Sequence, residues 1–188
     1  MTDVTDAPGS PEAAVAADDP ALGNVLQTPR LDIRRVTQAD APFIFRLLND
    51  PAWLRFIGDK GVRTIDDARR YIVNGPIAMY QRTGFGLYLV ALRESGVPIG
   101  LCGLIRREGL DDVDIGFAFL PEFHRHGYGH ESAAAVMELG KTVFKLGRIV
   151  AITSPENLAS IRLIERLGLR LERSVVLPGD GGQVSLYA

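Results

Sequence analysis

Asp114-Ile115-Gly116-Phe117-Ala118-Phe119-Leu120 is a strand-like run. It leads through Pro121-Glu122-Phe123-His124-Arg125-His126 into Gly127-Tyr128-Gly129-His130-Glu131, and then into a helix-like run over 132–146. A strand that feeds a Gly-x-Gly turn and then a helix leaves free backbone N–H groups at the helix N-terminus. Those groups, together with the positive end of the helix dipole, form a site for an anion such as a pyrophosphate. The stretch therefore predicts an α/β domain that holds a phosphate-bearing ligand.

The alternation of elements continues outward from this stretch. Residues 86–92 and 98–105 read as strands joined by the hairpin turn Glu94-Ser95-Gly96, and 112–120 is the third strand of the run. Upstream, Leu31-Asp32-Ile33-Arg34-Arg35-Val36 alternates like a further strand. Thr37 is an N-cap for a helix with the stripe Phe43, Ile44, Leu47 and Leu48. Residues 51–57 form a helical turn. Thr64 caps a helix that runs through Tyr71 toward Gln81, broken or kinked by Pro76. Downstream, 148–153 is a short apolar strand, and 157–167 is a helix with Gly168 just past its end. Residues 169–176 and 183–187 are the last strands, around Pro178-Gly179-Asp180-Gly181-Gly182. The order β-α-α-β-β-β-α-β-α-β-β is that of an α/β domain with a mixed sheet.

Composition sets the outer bounds. A chain of 188 residues, 46% apolar and 23% charged, suffices for one domain with a real core. The net charge is −2, and residues 1–24 hold Asp3, Asp6, Glu12, Asp18 and Asp19 with no Lys or Arg. The rest is only weakly basic, which on charge alone gives no reason to expect direct nucleic-acid binding. Residues 1–25 read as a disordered acidic tail, and 26–188 as a single domain. A single cysteine, Cys102, rules out an internal disulfide and fits a reducing cytoplasm. As a buried thiol on a strand, it reads as a small apolar filler rather than a nucleophile. No apolar run approaches the roughly 18 residues of a membrane helix. The N-terminus lacks the basic and apolar regions of a secretory signal.

The turn needs a ligand assigned to it. A dinucleotide fold wants a third glycine, but Ser132 stands there, and no acid follows the strand at 148–153 until Glu156. Gly140-Lys141-Thr142 mimics the end of a P-loop, yet Ala135 replaces its first glycine and the triplet lies inside a helix. His124, His126 and His130 raise a metal reading. They lack a nearby second ligand cluster, and a phosphate loop accounts for them better. A plain helix-start turn with no ligand is the bland alternative.

Three marks resolve the choice. The loop His124-Arg125-His126-Gly127-Tyr128-Gly129 is followed by Asn157-Leu158-Ala159-Ser160 with Leu167-Gly168-Leu169, and Thr28-Pro29-Arg30-Leu31 opens the first strand. In this order and spacing they resemble the GNAT superfamily of N-acetyltransferases, and most closely its Rim-type branch of ribosomal-protein N-terminal acetyltransferases. The resemblance covers about 26–188. It departs at His124, where relatives carry Gln or Arg.

The resemblance implies a mixed, mostly antiparallel sheet with a central splayed parallel strand pair, flanked by helices. The gap is expected between 114–120 and 148–153. Acetyl-CoA is implied as donor co-substrate, with no metal. His124, Arg125, His126, Gly127, Tyr128, Gly129 and His130 would surround its pyrophosphate. Backbone at Phe119 and Leu120 would pair with pantetheine amides, one N–H serving the oxyanion, and Asn157 would cap its helix and bond pantetheine. Many relatives place a proton-donating Tyr where Ile164 stands here, so Ser160 becomes the candidate acid toward the sulfur, unless it merely packs on the first turn. Asp114 is the candidate base, or else a solvated surface group, with Asp112 behind it. The acceptor is an amine, either a small molecule or a protein N-terminus, with Trp53, Phe56, Asp59 and Phe85 as candidates to line its site. No membrane partner is expected, and the chain would be a cytoplasmic monomer or homodimer. A catalytically degenerate acyl-CoA-binding or regulatory module is the enzyme-free alternative. A nicotinamide or flavin enzyme is a third reading.

Overall fold

A single sheet organises the protein, as seen in a computed structural model that describes residues 24–178 and 182–188. Most of the expected N-terminal tail, and the tip of the last turn, lie outside the described residues. The strands are β1 (Leu26–Gln27), β2 (Leu31–Arg35), β3 (Leu87–Leu92), β4 (Pro98–Ile105), β5 (Val113–Phe119), β6 (Ile149–Thr153), β7 (Leu171–Val176) and β8 (Gln183–Tyr187). Their spatial order is β1-β2-β3-β4-β5-β6-β8-β7, and every neighbouring pair is antiparallel except β5 and β6. The expected mixed sheet with one central parallel pair is therefore present. The two-residue β1 is too short to produce a periodic signal in sequence.

Successive strand residues point to opposite faces, and both faces of this sheet are apolar. Tyr88 and Val90 of β3 and Cys102 and Leu104 of β4 pack on one face, while Leu89, Ala91 and Leu101 pack on the other. The first face is covered by α5 (Tyr128–Thr142) through Ala133, Val136 and Met137, and by α6 (Leu158–Arg166) through Ile164. The second is covered by α1 (Ala41–Leu48), α2 (Pro51–Phe56) and α3 (Ile65–Ile72), through Ile44, Leu47, Leu48, Trp53, Ala68 and Ile72.

Local chemistry explains the helix ends. Thr37 and Asp40 form a capping box ahead of α1, and Thr64 and Asp67 form another at α3. Asp50 accepts the Ala52 N–H at 2.8 Å and starts α2. Pro76 does not end the helix that begins at Thr64. A π-turn over Val73–Ile77 absorbs the missing N–H, and α4 (Ala78–Thr83) continues beyond it. Gly84, at φ 81°, then stops that helix in the left-handed conformation. The helix expected over 132–146 in fact spans Tyr128–Thr142. Its apolar periodicity starts only at Ala133, because the first turn is occupied by groups that face the loop and the cavity rather than the core.

Candidate active site

The loop between β5 and α5 is built to expose main-chain N–H groups. Arg125 (φ 64°) and Gly127 (φ 84°) both adopt left-handed backbone, and Gly127 is the N-cap of α5. The first helical bond runs from Glu131 N–H to Gly127 C=O at 3.0 Å. Among the described residues, the N–H groups from Arg125 to His130 have no protein acceptor. They lie at the positive end of a helix of 15 residues. The buried Ser132 hydroxyl donates to Tyr128 C=O at 2.8 Å and tightens the first turn.

The loop is braced from both sides. The His124 ring donates through Nε2 to Phe119 C=O at 2.9 Å, and the His126 ring through Nδ1 to His124 C=O at 2.8 Å. His126 stacks on Tyr128 with ring centroids 5.6 Å apart, and the Arg30 guanidinium lies 4.7 Å from the Tyr128 centroid. Arg30 also donates to His126 C=O at 2.9 Å and to Glu131 Oε2 at 2.7 Å, while the Thr28 hydroxyl donates to Glu131 Oε1 at 2.6 Å. Burial alone pushes the Glu131 carboxyl up, but the bonds from Thr28 and Arg30 outweigh it and hold the group below the usual range. Thr28 and Arg30 thus strap the loop to the start of β2. Their stretch stands out in sequence, whereas their partner does not.

The parallel pair comes apart where the family resemblance placed its gap. β5 and β6 pair at Val113 with Ile149 and at Asp114 with Val150, and no further. In an antiparallel ladder only alternate residues bond to a given neighbour. Leu120 N–H donates to Ile99 C=O at 3.0 Å, so Ala118, Gly116 and Asp114 also turn their main-chain groups toward β4. Phe119 and Phe117 then turn theirs toward the missing part of β6. This corrects the expectation for Leu120: its N–H is committed, its C=O accepts from Phe123 N–H, and its side chain is buried in the core under α1–α3. Phe117 takes its place as a source of free main-chain groups beside Phe119, whose carbonyl is held by His124.

A cavity of about 540 Å³ fills this gap. His124, Arg125 and the span from Gly127 to His130 form one end, and Phe117, Phe119, Asn157, Ser160 and Leu163 line its middle. Asp114, at the start of β5, and Arg107 beside it form the other end, and Asp50, Trp53 and Phe56 also line the cavity. Phe119 and Asp114 lie five residues apart on β5, a rise of about 17 Å along an extended strand. Of the residues expected to form the site, Leu120 and His126 do not line the cavity. His126 sits exposed on the loop against Tyr128.

At the start of α6, Asn157 accepts the Ser160 N–H at 3.1 Å, so it is an N-cap. Ser160 is half-buried at the cavity wall, and its hydroxyl has no protein partner among the described residues. Ile164 is 1% exposed and packs in the core under α5. An apolar residue at that position is core packing. Cys102 is buried, and burial pushes its thiol up to about 12.

Asp114 is neither a surface group nor an open base. It is 1% exposed, its Oδ1 accepts from Arg107 Nε at 2.9 Å, and its Oδ2 is sealed without a partner. Burial pushes its carboxyl up, and the adjacent guanidinium offsets this only in part. Asp112 pairs with Arg148 at 3.4 Å, away from the cavity. Among the acceptor candidates, Trp53 and Phe56 reach the cavity. Asp59 pairs with Arg63, and Phe85 packs edge-on against Phe144 at 5.2 Å. Sequence reasoning missed Arg107 and Asp50, which carry no local motif.

Among the described residues, no group of three or more His, Cys, Asp or Glu side chains is arranged to hold a metal ion, and no helix is long and apolar enough to cross a membrane. Comparison with known proteins shows the family and the fold. Residues 30–170 match the family described as an acetyltransferase (GNAT) domain. An uncharacterized N-acetyltransferase of Bacillus subtilis, YnaD, is 29% identical over 147 residues, covering 78% of this chain and 83% of the relative. A GNAT-family acetyltransferase structure from Bacillus anthracis superposes with a TM-score of 0.70 at 26% identity, covering 86% of this chain and 93% of that one. The ribosomal-protein α-N-acetyltransferase RimL, solved with coenzyme A, has the same fold, with a TM-score of 0.73 at 21% identity over 87% of this chain and 96% of its own. A phosphate-type loop at the head of α5, a parted parallel pair below it and a family match across most of the chain converge on one conclusion: the chain belongs to the GNAT acetyltransferases.

Proposed function

We propose that the protein transfers the acetyl group of acetyl-CoA to a primary amine by direct attack on the thioester. The observation that carries this reading is the combination of unpaired N–H groups from Arg125 to His130 with unpaired β5 main chain at Phe117 and an unpaired N–H at Phe119. The first suits a pyrophosphate. The second suits an extended amide-bearing arm that adds to β5 where β6 has left it. The cavity between them has the volume of an ordinary ligand site.

In this reading the α5 loop binds the pyrophosphate, and the free edge of β5 aligns the pantetheine arm. Fixing donor and acceptor side by side supplies most of the acceleration. The amine nitrogen forms a bond to the acetyl carbon as the carbon–sulfur bond breaks. The nitrogen's surplus proton passes to solvent, and the departing sulfur takes a proton from Ser160, which is replenished from water. A Phe119 or Phe117 N–H faces the developing oxyanion. Asn157 holds the turn that presents Ser160. Asp114 acts at one remove, by holding Arg107. The likeness to RimL supports an amine acceptor, either a protein N-terminus or a small amine.

The test is calorimetric titration with acetyl-CoA, followed by thiol release over a panel of amines and peptides. Micromolar binding and amine-dependent thiol release are expected. Absence of acetyl-CoA binding removes the proposal. Tight binding with no thiol release from any amine indicates an acyl-CoA-binding module instead.

A further inference from the structure

We infer that the end of the cavity opposite the phosphate loop is an acceptor subsite for a primary amine that also carries a carboxylate, with Arg107 as the group that binds the carboxylate. The inference rests on the acetyl-transfer reading above and narrows its acceptor.

Arg107 lies in the loop after β4, and its side chain is 34% exposed at the cavity wall. Only its Nε is used, by Asp114 Oδ1 at 2.9 Å, and among the described residues its two terminal nitrogens have no partner. A long, flexible side chain is thereby held by a rigid, buried anchor. Burying a carboxylate is costly unless it is paired. Asp114 is buried nonetheless, at the point where β5 and β6 part. The result is a fixed guanidinium whose remaining N–H fork is turned away from its anchor. Such a fork matches the two oxygens of a carboxylate, whereas a single carbonyl fills only half of it.

Other residues lining the same cavity fit this ligand. Asp50 offers a second carboxylate: one oxygen caps Ala52 N–H at 2.8 Å, and the other has no partner among the described residues. It is the group available to an ammonium. Trp53, whose indole N–H also lacks a protein acceptor among the described residues, lines the cavity with Phe56 and Ile57. These surfaces suit an apolar side chain. A polyamine fits poorly, because its second ammonium would face the Arg107 guanidinium.

The experiment measures thiol release from acetyl-CoA by the wild-type protein with L-leucine and L-phenylalanine. Their decarboxylated counterparts isoamylamine and phenethylamine, L-leucinamide, a leucine-initiated tripeptide and spermidine serve as comparisons. The expected kcat/KM of each amino acid exceeds that of its decarboxylated amine by at least about tenfold. Arg107→Gln is expected to raise the KM of the amino acids at least about tenfold more than that of the amines, abolishing the preference. Equal or better turnover of isoamylamine or spermidine overturns the inference, as does a preference for the tripeptide over free leucine. If no acceptor is turned over, calorimetry of L-leucine against isoamylamine into the coenzyme A-saturated protein decides. Tighter leucine binding supports the subsite, and equal or absent binding overturns it. Failure of acetyl-CoA to bind at all is a different result: it removes the acetyl-transfer reading, and the subsite with it.

Discussion

Arg30, just ahead of β2, and Glu131, in the first turn of α5, are joined by two hydrogen bonds and by a further ion-pair contact from Nη2 to Oε2 at 2.6 Å. The Arg30 Nε donates to Oε2 at 2.7 Å and its backbone N–H to Oε1 at 3.0 Å. The same guanidinium donates to His126 C=O at 2.9 Å and covers the Tyr128 ring. One side chain thus ties the N-terminal edge of the domain to both halves of the α5 loop.

Arg30→Ala should weaken acetyl-CoA binding by at least about fivefold while leaving kcat at saturating donor within about twofold, the pattern of lost ground-state positioning. Arg30→Lys should restore little, because a single ammonium cannot span Glu131 and the His126 carbonyl together. Calorimetry and steady-state kinetics on the three proteins check this. Full rescue by lysine would show that charge alone matters.

The loop glycines make separable predictions. Gly127, at φ 84°, would bring an added Cβ to 3.3 Å from Arg30 Nη2. Gly127→Ala should therefore lower stability by about 1–2 kcal/mol through left-handed backbone strain, read from urea midpoints. A Cβ at Gly129 would meet the far end of the Leu163 side chain at 3.1 Å and the Phe119 ring at an ordinary 3.6 Å. Gly129→Asp should fold, yet raise the acetyl-CoA dissociation constant at least about tenfold, about 1.4 kcal/mol, by placing a like charge beside the pyrophosphate. Unchanged affinity in this variant would refute the loop assignment.

Ser160→Ala should lower turnover by about a hundredfold, the lower end for loss of a general acid, because a thiolate is a tolerable leaving group. Donor affinity should stay nearly the same. Since the Ser160 contact with Asn157 is made by backbone N–H, the cap survives the substitution. Unaltered turnover under chemistry-limited conditions excludes Ser160 from proton transfer.

Stability should fall in acid partly through Asp40. Burial alone would raise its pKa, but the Arg34 guanidinium, bound at 2.7 and 2.8 Å, and the Thr37 N–H hold it below its ordinary value. A carboxyl depressed by folding stabilises above its unfolded pKa of about 3.9, and the contribution disappears as pH falls through the folded value. Asp40→Asn should cost about 2 kcal/mol at pH 7. The gap to wild type should narrow in urea titrations carried below about pH 4. A gap independent of pH would mean the loss is one of packing.

Cys102 should not react with aromatic disulfide reagents in the native protein, because it is fully buried with its thiol pushed up to about 12. One thiol per chain should appear on unfolding in denaturant. Rapid labelling of the native protein would place the residue at the surface and contradict the packing of β4.

Much of the fold is encoded locally and is legible for that reason. The Thr37 cap, the stripe of Ile44, Leu47 and Leu48, and the alternation along β3, β4 and β5 each depend on residues within a few positions of one another. The Gly127-Tyr128-Gly129 turn belongs to the same class. Its exposed N–H groups arise from the backbone of one short segment, so that end of the cavity is apparent from sequence. Where a local rule stopped short, a longer-range contact took over. The first turn of α5 lacks an apolar stripe because Glu131 and Ser132 bond to the strap and to the turn itself.

The sequence by itself determined the order of elements and a helix start suited to a phosphate. It left open which oxygens and nitrogens face the cavity. Leu120 and Phe119 are adjacent in the chain, and only the register with Ile99 decides that the first spends its N–H on β4 while the second turns toward the gap. Asp114 reads as a strand carboxylate in either an open or a buried site. The arrival of Arg107 from the β4–β5 loop, and the closure of β6 over its flank at Val150, convert it from a candidate base into an anchor. These outcomes depend on desolvation and on partners brought together by the sheet. Burial by distant segments leaves no periodic trace in the chain, so tertiary structure alone decided the surroundings of Asp114 and Arg107.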